Sequence, residues 1–194
     1  MKTIGVLAFQ GDVREHLAAV EAAGAKAVEV RTEAQLAAVD GLILPGGEST
    51  TISKLARIFD LFDPLKDAIA AGLPTFGTCA GLILLADRIL DGIDGQETFG
   101  GLDVTVRRNA FGHQTESFET KLSFKGIDGP DLVAAFIRAP IIEQVGPGAD
   151  VLATLPSGAV VGVRQKSILG ISFHPEVTDE SRVHRFFIDS MVSA

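Results

Sequence analysis

The chain has 194 residues, 46% of them hydrophobic and 22% charged, with a formal net charge of −8. This length suits one domain with a sizeable apolar core, and the composition is that of a folded rather than a disordered chain. The acidic balance, with a pI near 4.9, argues against nucleic acid or an anionic membrane surface as the main partner.

Residues 4–9 form an apolar run that reads as a buried strand and turns polar at Gln10-Gly11-Asp12, too short for a secretory signal. Val13, Leu17 and Val20 mark one face of a helix that stops at Gly24, and residues 26–31 read as a second strand. Thr32 and Gln35 have capping-box spacing for a short helix before a third strand over 41–44. Helices are predicted over 52–59 and 65–71, then a strand over 75–77 running into a helix over 80–89. Strands alternating with helices at this spacing imply a mostly parallel sheet with helices on both faces.

The second half is richer in strands, predicted over 102–107, 117–124, 132–137, 151–154, 160–164 and 168–173. The glycine-rich stretch 92–101 reads as a loop, and a last helix carries Val183, Phe186 and Phe187 on one face. The longest apolar run, 80–86, cannot span a bilayer, and the single cysteine permits no internal disulfide. Together these features predict one three-layer α/β domain over residues 1–194, in the cytoplasm.

Gly77-Thr78-Cys79-Ala80-Gly81 has the G-x-nucleophile-x-G form between a predicted strand and a predicted helix. That is the context of a nucleophile elbow, where a sharp turn demands small residues and the helix N-terminus favours a thiolate. On residue type alone, a small buried hydrophobe is the commoner fate of a lone cysteine, and the elbow context of Cys79 reverses that preference. His174, in Phe173-His174-Pro175-Glu176, is the best-placed base. On an extended segment held by Pro175, His174 and Glu176 would face the same way, and the carboxylate would orient the imidazole. By itself the same tripeptide also suits a surface loop. His16 and His184 read as solvated surface residues. Pro45-Gly46-Gly47-Glu48-Ser49-Thr50, a strand end running into a helix, leaves N–H groups for an oxyanion or anion, or is an ordinary turn. There is no P-loop lysine and no His/Cys spacing for a metal.

Pro45-Gly46-Gly47, the cysteine elbow and His174-Pro175-Glu176, in that order, resemble class I glutamine amidotransferase domains. Longer words narrow the resemblance to the glutaminase subunits of pyridoxal 5′-phosphate synthase. These are Gln10-Gly11-Asp12 with Glu15-His16, Gly46 to Thr51, Arg108-Asn109-Ala110-Phe111-Gly112, Ser117-Phe118-Glu119 and Phe136-Ile137-Arg138-Ala139-Pro140. The resemblance implies a flavodoxin-like fold, a Cys79, His174, Glu176 triad, and L-glutamine held by Gly47, Glu48, Ser49, Arg108, Ile137 and Arg138. It further implies an oxyanion hole from backbone groups of Gly47 and Ala80, with Gln10 near the face that meets a (β/α)8-barrel synthase subunit. No metal or bound cofactor is implied, pyridoxal phosphate being the product of the complex. His113 stands where the family is expected to carry arginine. The competing readings are a glutaminase for another ammonia-using synthase, such as that of histidine biosynthesis, and a catalytically silent module on the same fold. An α/β-hydrolase fits less well, because there the acid precedes the histidine.

Overall fold

The computed structural model describes residues 1–108 and 117–192. The Asn109-Ala110-Phe111-Gly112 word and His113 lie outside the described residues. Four strands, β1 (Thr3–Leu7), β2 (Lys26–Val30), β3 (Gly41–Leu44) and β4 (Thr75–Thr78), join β12 (Ile168–Ile171) in the parallel order β2-β1-β3-β4-β12. Beyond β12 the sheet turns antiparallel through β11 (Val160–Gln165), β9 (Ile141–Val145) and β6 (Leu102–Arg107), with β5 (Ala86–Leu90) at the edge. The strand β10 (Asp150–Thr154) pairs with β11, and β7 (Phe118–Leu122) with β8 (Leu132–Phe136) makes a separate two-stranded ribbon.

Strand residues in the parallel core alternate between two apolar layers. Ile43 of β3 points into one with Ile4, Val6, Phe76 and Ile171, while Leu42 and Leu44 point into the other with Leu7. Helices α1 (Val13–Ala22) and α6 (Ser181–Ser190) cover the first layer through Val20, Val183 and Phe187. Helices α3 (Ser49–Ile58), α4 (Phe62–Ala70) and α5 (Ala80–Leu85) cover the second through Ile52, Ala56, Leu65 and Ile69. Each fully buried large apolar side chain, such as Phe76, contributes about 2–3 kcal/mol by leaving water. Among the described residues no helix is long and apolar enough to cross a membrane.

The predicted capping box at Thr32 is present, with reciprocal bonds to Gln35 of 3.3 and 3.1 Å opening α2 (Glu33–Leu36). α4 starts three residues before its predicted start, taking in Pro64, whose missing N–H is harmless in a first helical turn. The helix predicted over 80–89 stops at Leu85, and Ala86–Leu90 is a strand instead. Its local composition is helical, but it pairs in parallel with β6 and Ala86 is fully buried, so sheet pairing overrides propensity. β9, which follows Pro140, was not predicted; it forms by antiparallel pairing with β6, a non-local interaction.

The elbow is where two layers are wedged together. A Cβ on Gly81 would sit 2.1 Å from the carbonyl oxygen of Leu44, and one on Gly77 would sit 2.5 Å from the backbone of Gly81. Neither position has room for a side chain. Gly81→Ala is expected to cost about 3 kcal/mol in urea unfolding by overpacking. Gly24→Ala, where φ is +87 and nothing lies within 4 Å, should cost only about 1 kcal/mol. Equal urea midpoints for the two variants would contradict this steric account.

Candidate active site

The loops that follow β1, β3, β4 and β12 all leave the carboxyl edge of the parallel strands, the edge where open α/β sheets bind ligands. β4 enters α5 through Cys79, whose φ of 48 and ψ of −102 are those of a strained turn. The strain is sustained because β4 is pinned between β3 and β12, and because Cys79 N–H donates to the Ile171 carbonyl at 2.9 Å. Cys79 is 7% exposed and opens onto a cavity.

Next door, β12 ends and the backbone N–H of His174 donates to the Ala135 carbonyl on β8 at 2.8 Å. Pro175 does not extend the chain as predicted. Pro175–Val177 is a 3-10 turn, with proline in its first turn where no N–H is needed. The turn still brings Glu176 Oε1 to 2.7 Å from His174 Nδ1, so the pairing survives although its expected geometry does not. Asp12 adds a second carboxylate at 3.3 Å from the same nitrogen. Burial pulls the His174 imidazole down, but Asp12, the Cys79 sulfur and Glu176 outweigh it and push His174 up to about 12. Glu176 is itself pushed up, chiefly by burial and against the pull of His174. With Nδ1 taken by Glu176, Nε2 is the nitrogen left for Cys79. Asp12, His174 and Glu176 are also a set whose ligand atoms fall within 4.8 Å of one another; an ion there would have to displace the His174–Glu176 bond.

The Pro45-Gly46-Gly47 turn is required for two different reasons. A Cβ on Gly46 would lie 2.3 Å from Cε1 of His174, so the imidazole needs a bare backbone. Gly47 needs its glycine for conformation, with φ +150, and Gln10 Oε1 accepts the next N–H, that of Glu48, at 2.8 Å. α3 begins at Ser49, three residues before its predicted start, with Glu48 as N-cap.

A cavity of about 350 Å³ opens above Cys79, lined by Gln10, Gly47, Glu48, Ser49, Ala80, Arg108, Ile137, Arg138 and His174. Every site residue named from the sequence lines it except Glu176, which stands behind His174. Cys79 Sγ approaches the Ile137 carbonyl at 3.9 Å. Away from the sulfur, Arg108 Nη2 donates to Glu48 Oε1 at 2.9 Å, a neighbouring pair of opposite charges. Sequence reasoning missed Gln96, which accepts from Arg108 at 3.0 Å and donates to Ser49 Oγ at 3.0 Å. It lies in a glycine-rich loop with no motif to signal it. It also gave no role to Asp12, and it misplaced His16 and His184, both of which are fully buried.

A cysteine on a strained elbow, facing a histidine held by a carboxylate, beside a paired arginine and glutamate, is an arrangement suited to acyl transfer on a small zwitterion. The chain matches the SNO glutamine amidotransferase family over residues 6–193. It belongs to that family. It is 59% identical over 186 residues to a pyridoxal 5′-phosphate synthase subunit of Parafrankia sp., covering 96% of this chain and 91% of that one. A subunit of the same description from Kineococcus radiotolerans is 58% identical over 193 residues, covering 96% and 93%. A crystal structure described as a glutamine amidotransferase superposes with a TM-score of 0.89 at 46% identity, covering 96% of this chain and 97% of that one.

The two buried histidines make stability depend on acid. Burial takes His184 from the ordinary 6.5 down to about 4, and His16 well below that ordinary value, by burial and then by the charges of His184 and His174. Below about pH 6.5 the unfolded chain binds protons that the folded chain refuses, so stability falls as pH drops toward 4. His184 alone accounts for up to about 3 kcal/mol of that loss. His184→Leu should therefore flatten the fall in urea midpoint between about pH 7 and pH 4.5. An unchanged slope would mean that His184 is not buried neutral.

Proposed function

We propose that this chain hydrolyses L-glutamine to L-glutamate and ammonia, and delivers the ammonia to a synthase subunit that makes pyridoxal 5′-phosphate. We take residues 1–194 as one glutaminase domain and place the reaction in the cytoplasm, where a catalytic thiol stays reduced. The observation that carries the reading is the elbow cysteine beside the 2.7 Å His174–Glu176 pair, in one cavity with the Arg108–Glu48 pair.

Arg108 suits the α-carboxylate of a free amino acid and Glu48 its ammonium, while Ser49, Ile137 and Arg138 shape the wall between them and the sulfur. The amide side chain then lies over Cys79. The Cys79 thiolate attacks the amide carbon, and N–H groups of Gly47 and Ala80 stabilise the oxyanion. His174 protonates the departing nitrogen, so ammonia leaves and a γ-glutamyl thioester remains. A water that gives its proton to His174 hydrolyses the thioester and releases glutamate. Glu176 keeps the imidazole aligned through both steps. No metal or bound cofactor enters the scheme.

The relatives are named as subunits of a synthase, and ammonia released without an acceptor is wasted glutamine. The link to a partner runs through Gln10, whose side chain already holds the Glu48 N–H beside Gly47. A partner that moves Gln10 would re-aim the Gly47 peptide, which a glycine permits at little steric cost. Cys79→Ala should lower glutamate release by at least ~10⁴-fold with glutamine binding retained, because alanine fits the same turn. Measurable turnover in that variant would remove Cys79 as nucleophile. Adding the barrel-type synthase subunit to the wild-type chain should raise steady-state glutamate release about tenfold or more, a change of only ~1.4 kcal/mol in the barrier. Equal rates with and without that subunit would reject activation by a partner, and activation by another synthase instead would reassign the pathway.

A further inference from the structure

Two titratable groups that the proposed chemistry does not use lie buried behind it. His16, on α1, and His184, on α6, are bonded Nδ1 to Nε2 at 2.9 Å. The other nitrogen of His16, Nε2, lies 3.1 Å from Thr78 Oγ1 and 3.5 Å from Glu176 Oε1. That carboxylate oxygen is the one His174 holds at 2.7 Å, and Thr78 is the residue immediately before Cys79. The side chains thus form a row from His184 through His16, Glu176 and His174 to the sulfur.

The ends of the row set its direction. A neutral imidazole has one N–H and one acceptor nitrogen. If His16 donated from Nδ1, its Nε2 lone pair would face a carboxylate oxygen at 3.5 Å. His184 would then carry its N–H at Nδ1, which has no partner among the described residues. With the opposite tautomers, His184 Nε2–H donates to His16 Nδ1, and His16 Nε2–H points at Thr78 Oγ1 and Glu176 Oε1. Of the two histidines, the atom then left unmatched among the described residues is a lone pair at His184 Nδ1, the orphan more readily tolerated in an interior. Burial holds both rings neutral, so the choice lies between these two tautomer pairs.

We infer that His16 is a positioning residue for the reaction, aiming an N–H at Glu176 and at the elbow so that the carboxylate stays ionised and aligned on His174. The inference rests on the triad reading above. Burial and the Asp12 carboxylate oppose the ionisation of Glu176, while His174 favours it. Asp12 faces His174 from the loop after β1, and Glu15 of α1 with Asp179 and Glu180 before α6 line the groove behind Glu176. A neutral N–H aimed from α1 favours the ionised carboxylate against burial and Asp12 without adding a competing positive charge.

The test compares His16→Gln, His16→Asn and His16→Leu with the wild type, measuring glutamate release across pH in complex with the synthase subunit. A glutamine amide nitrogen reaches where imidazole Nε2 sits, whereas an asparagine reaches only as far as Nδ1. His16→Gln should keep kcat within about threefold, while His16→Asn and His16→Leu should lower it about tenfold, with KM for glutamine changed less than about twofold. In the last two the acid limb of kcat should move up by about half a pH unit, because a carboxylate that loses a donor holds its proton more tightly. A role in packing alone would lower thermal stability, leave the acid limb in place and make Gln and Asn alike; that result overturns the inference. If His16→Leu does not fold, the Gln–Asn comparison decides by itself. Labelling of Cys79 by a glutamine-like electrophile separates the two levels. Failure to label the wild type removes the triad reading, whereas a labelled wild type with an unshifted Asn variant removes only the role of His16.

Discussion

The passage of β4 into α5 at Cys79 places a positive-φ residue between two strands and beneath a third loop. Nothing local would hold a cysteine at φ 48 and ψ −102, a conformation that costs on the order of 1–3 kcal/mol. It persists because the parallel pairing of β3, β4 and β12 leaves the chain no other exit, and because Gly77 and Gly81 let α5 start hard against the Leu44 carbonyl. The same pairing determines everything else at the carboxyl edge. It sets the distance from the sulfur to the loop after β12 that carries His174, and to the loop after β3 that carries Gly47. Gly46 then has to be bare because the His174 ring occupies the space its side chain would take.

Behind that edge the interior is more polar than a fold of this kind requires. Glu176, His16 and His184 are buried, and Glu176 Oε2 and His184 Nδ1 have no partner among the described residues. An apolar set of the same shape would hold the layers together at least as well. The groups are arranged in one row rather than scattered, with His184 bonded to His16, Glu176 bonded to His174, and His16 Nε2 3.5 Å from Glu176 Oε1. On the proposed reading, part of the stability given up in acid and in unpaired atoms goes to orienting the His174 imidazole.

The Arg108 end of the cavity follows a different logic. Arg108, Glu48, Gln96 and Ser49 are linked by side-chain bonds of 2.9 to 3.0 Å, and they come from α3, its N-cap, the loop before β6 and the end of β6. Arg108 Nη2 and Glu48 already satisfy each other; on the proposed reading, glutamine entering the cavity would exchange one ion pair for two rather than face bare charges. Gln96 fixes the arginine fork from the other side. The Arg108–Glu48 cluster and the Cys79–His174 pair therefore come from separate elements, the first from α3 and the segments around β6, the second from β4 and the turn after β12.

The motif-bearing parts were legible in the sequence because their constraints are local. Gly77 to Gly81 announces a turn in which side chains cannot fit, Thr32 and Gln35 announce a helix start, and alternation of short apolar runs with helical faces announces a parallel sheet with two covered faces. The resemblance of the quoted words carried the rest of the site list, and the cavity gathers those residues together. What only the tertiary structure decided involves partners far apart in the chain. Residues 86–90 have a helical composition, and they are a strand only because β6 offers an edge. β9 exists through its pairing with that same strand. Pro175 was expected to keep the chain extended and instead opens a 3-10 turn, a choice made by the contacts of His174 and Thr178 with β8. His16 and His184 lie 168 positions apart and bond at 2.9 Å, and each looks like a surface residue until α1 and α6 are packed side by side. A sequence displays the constraints a residue imposes on its neighbours along the chain. Burial and hydrogen-bond partners are properties of neighbours in space, and they appear only once the sheet has placed them.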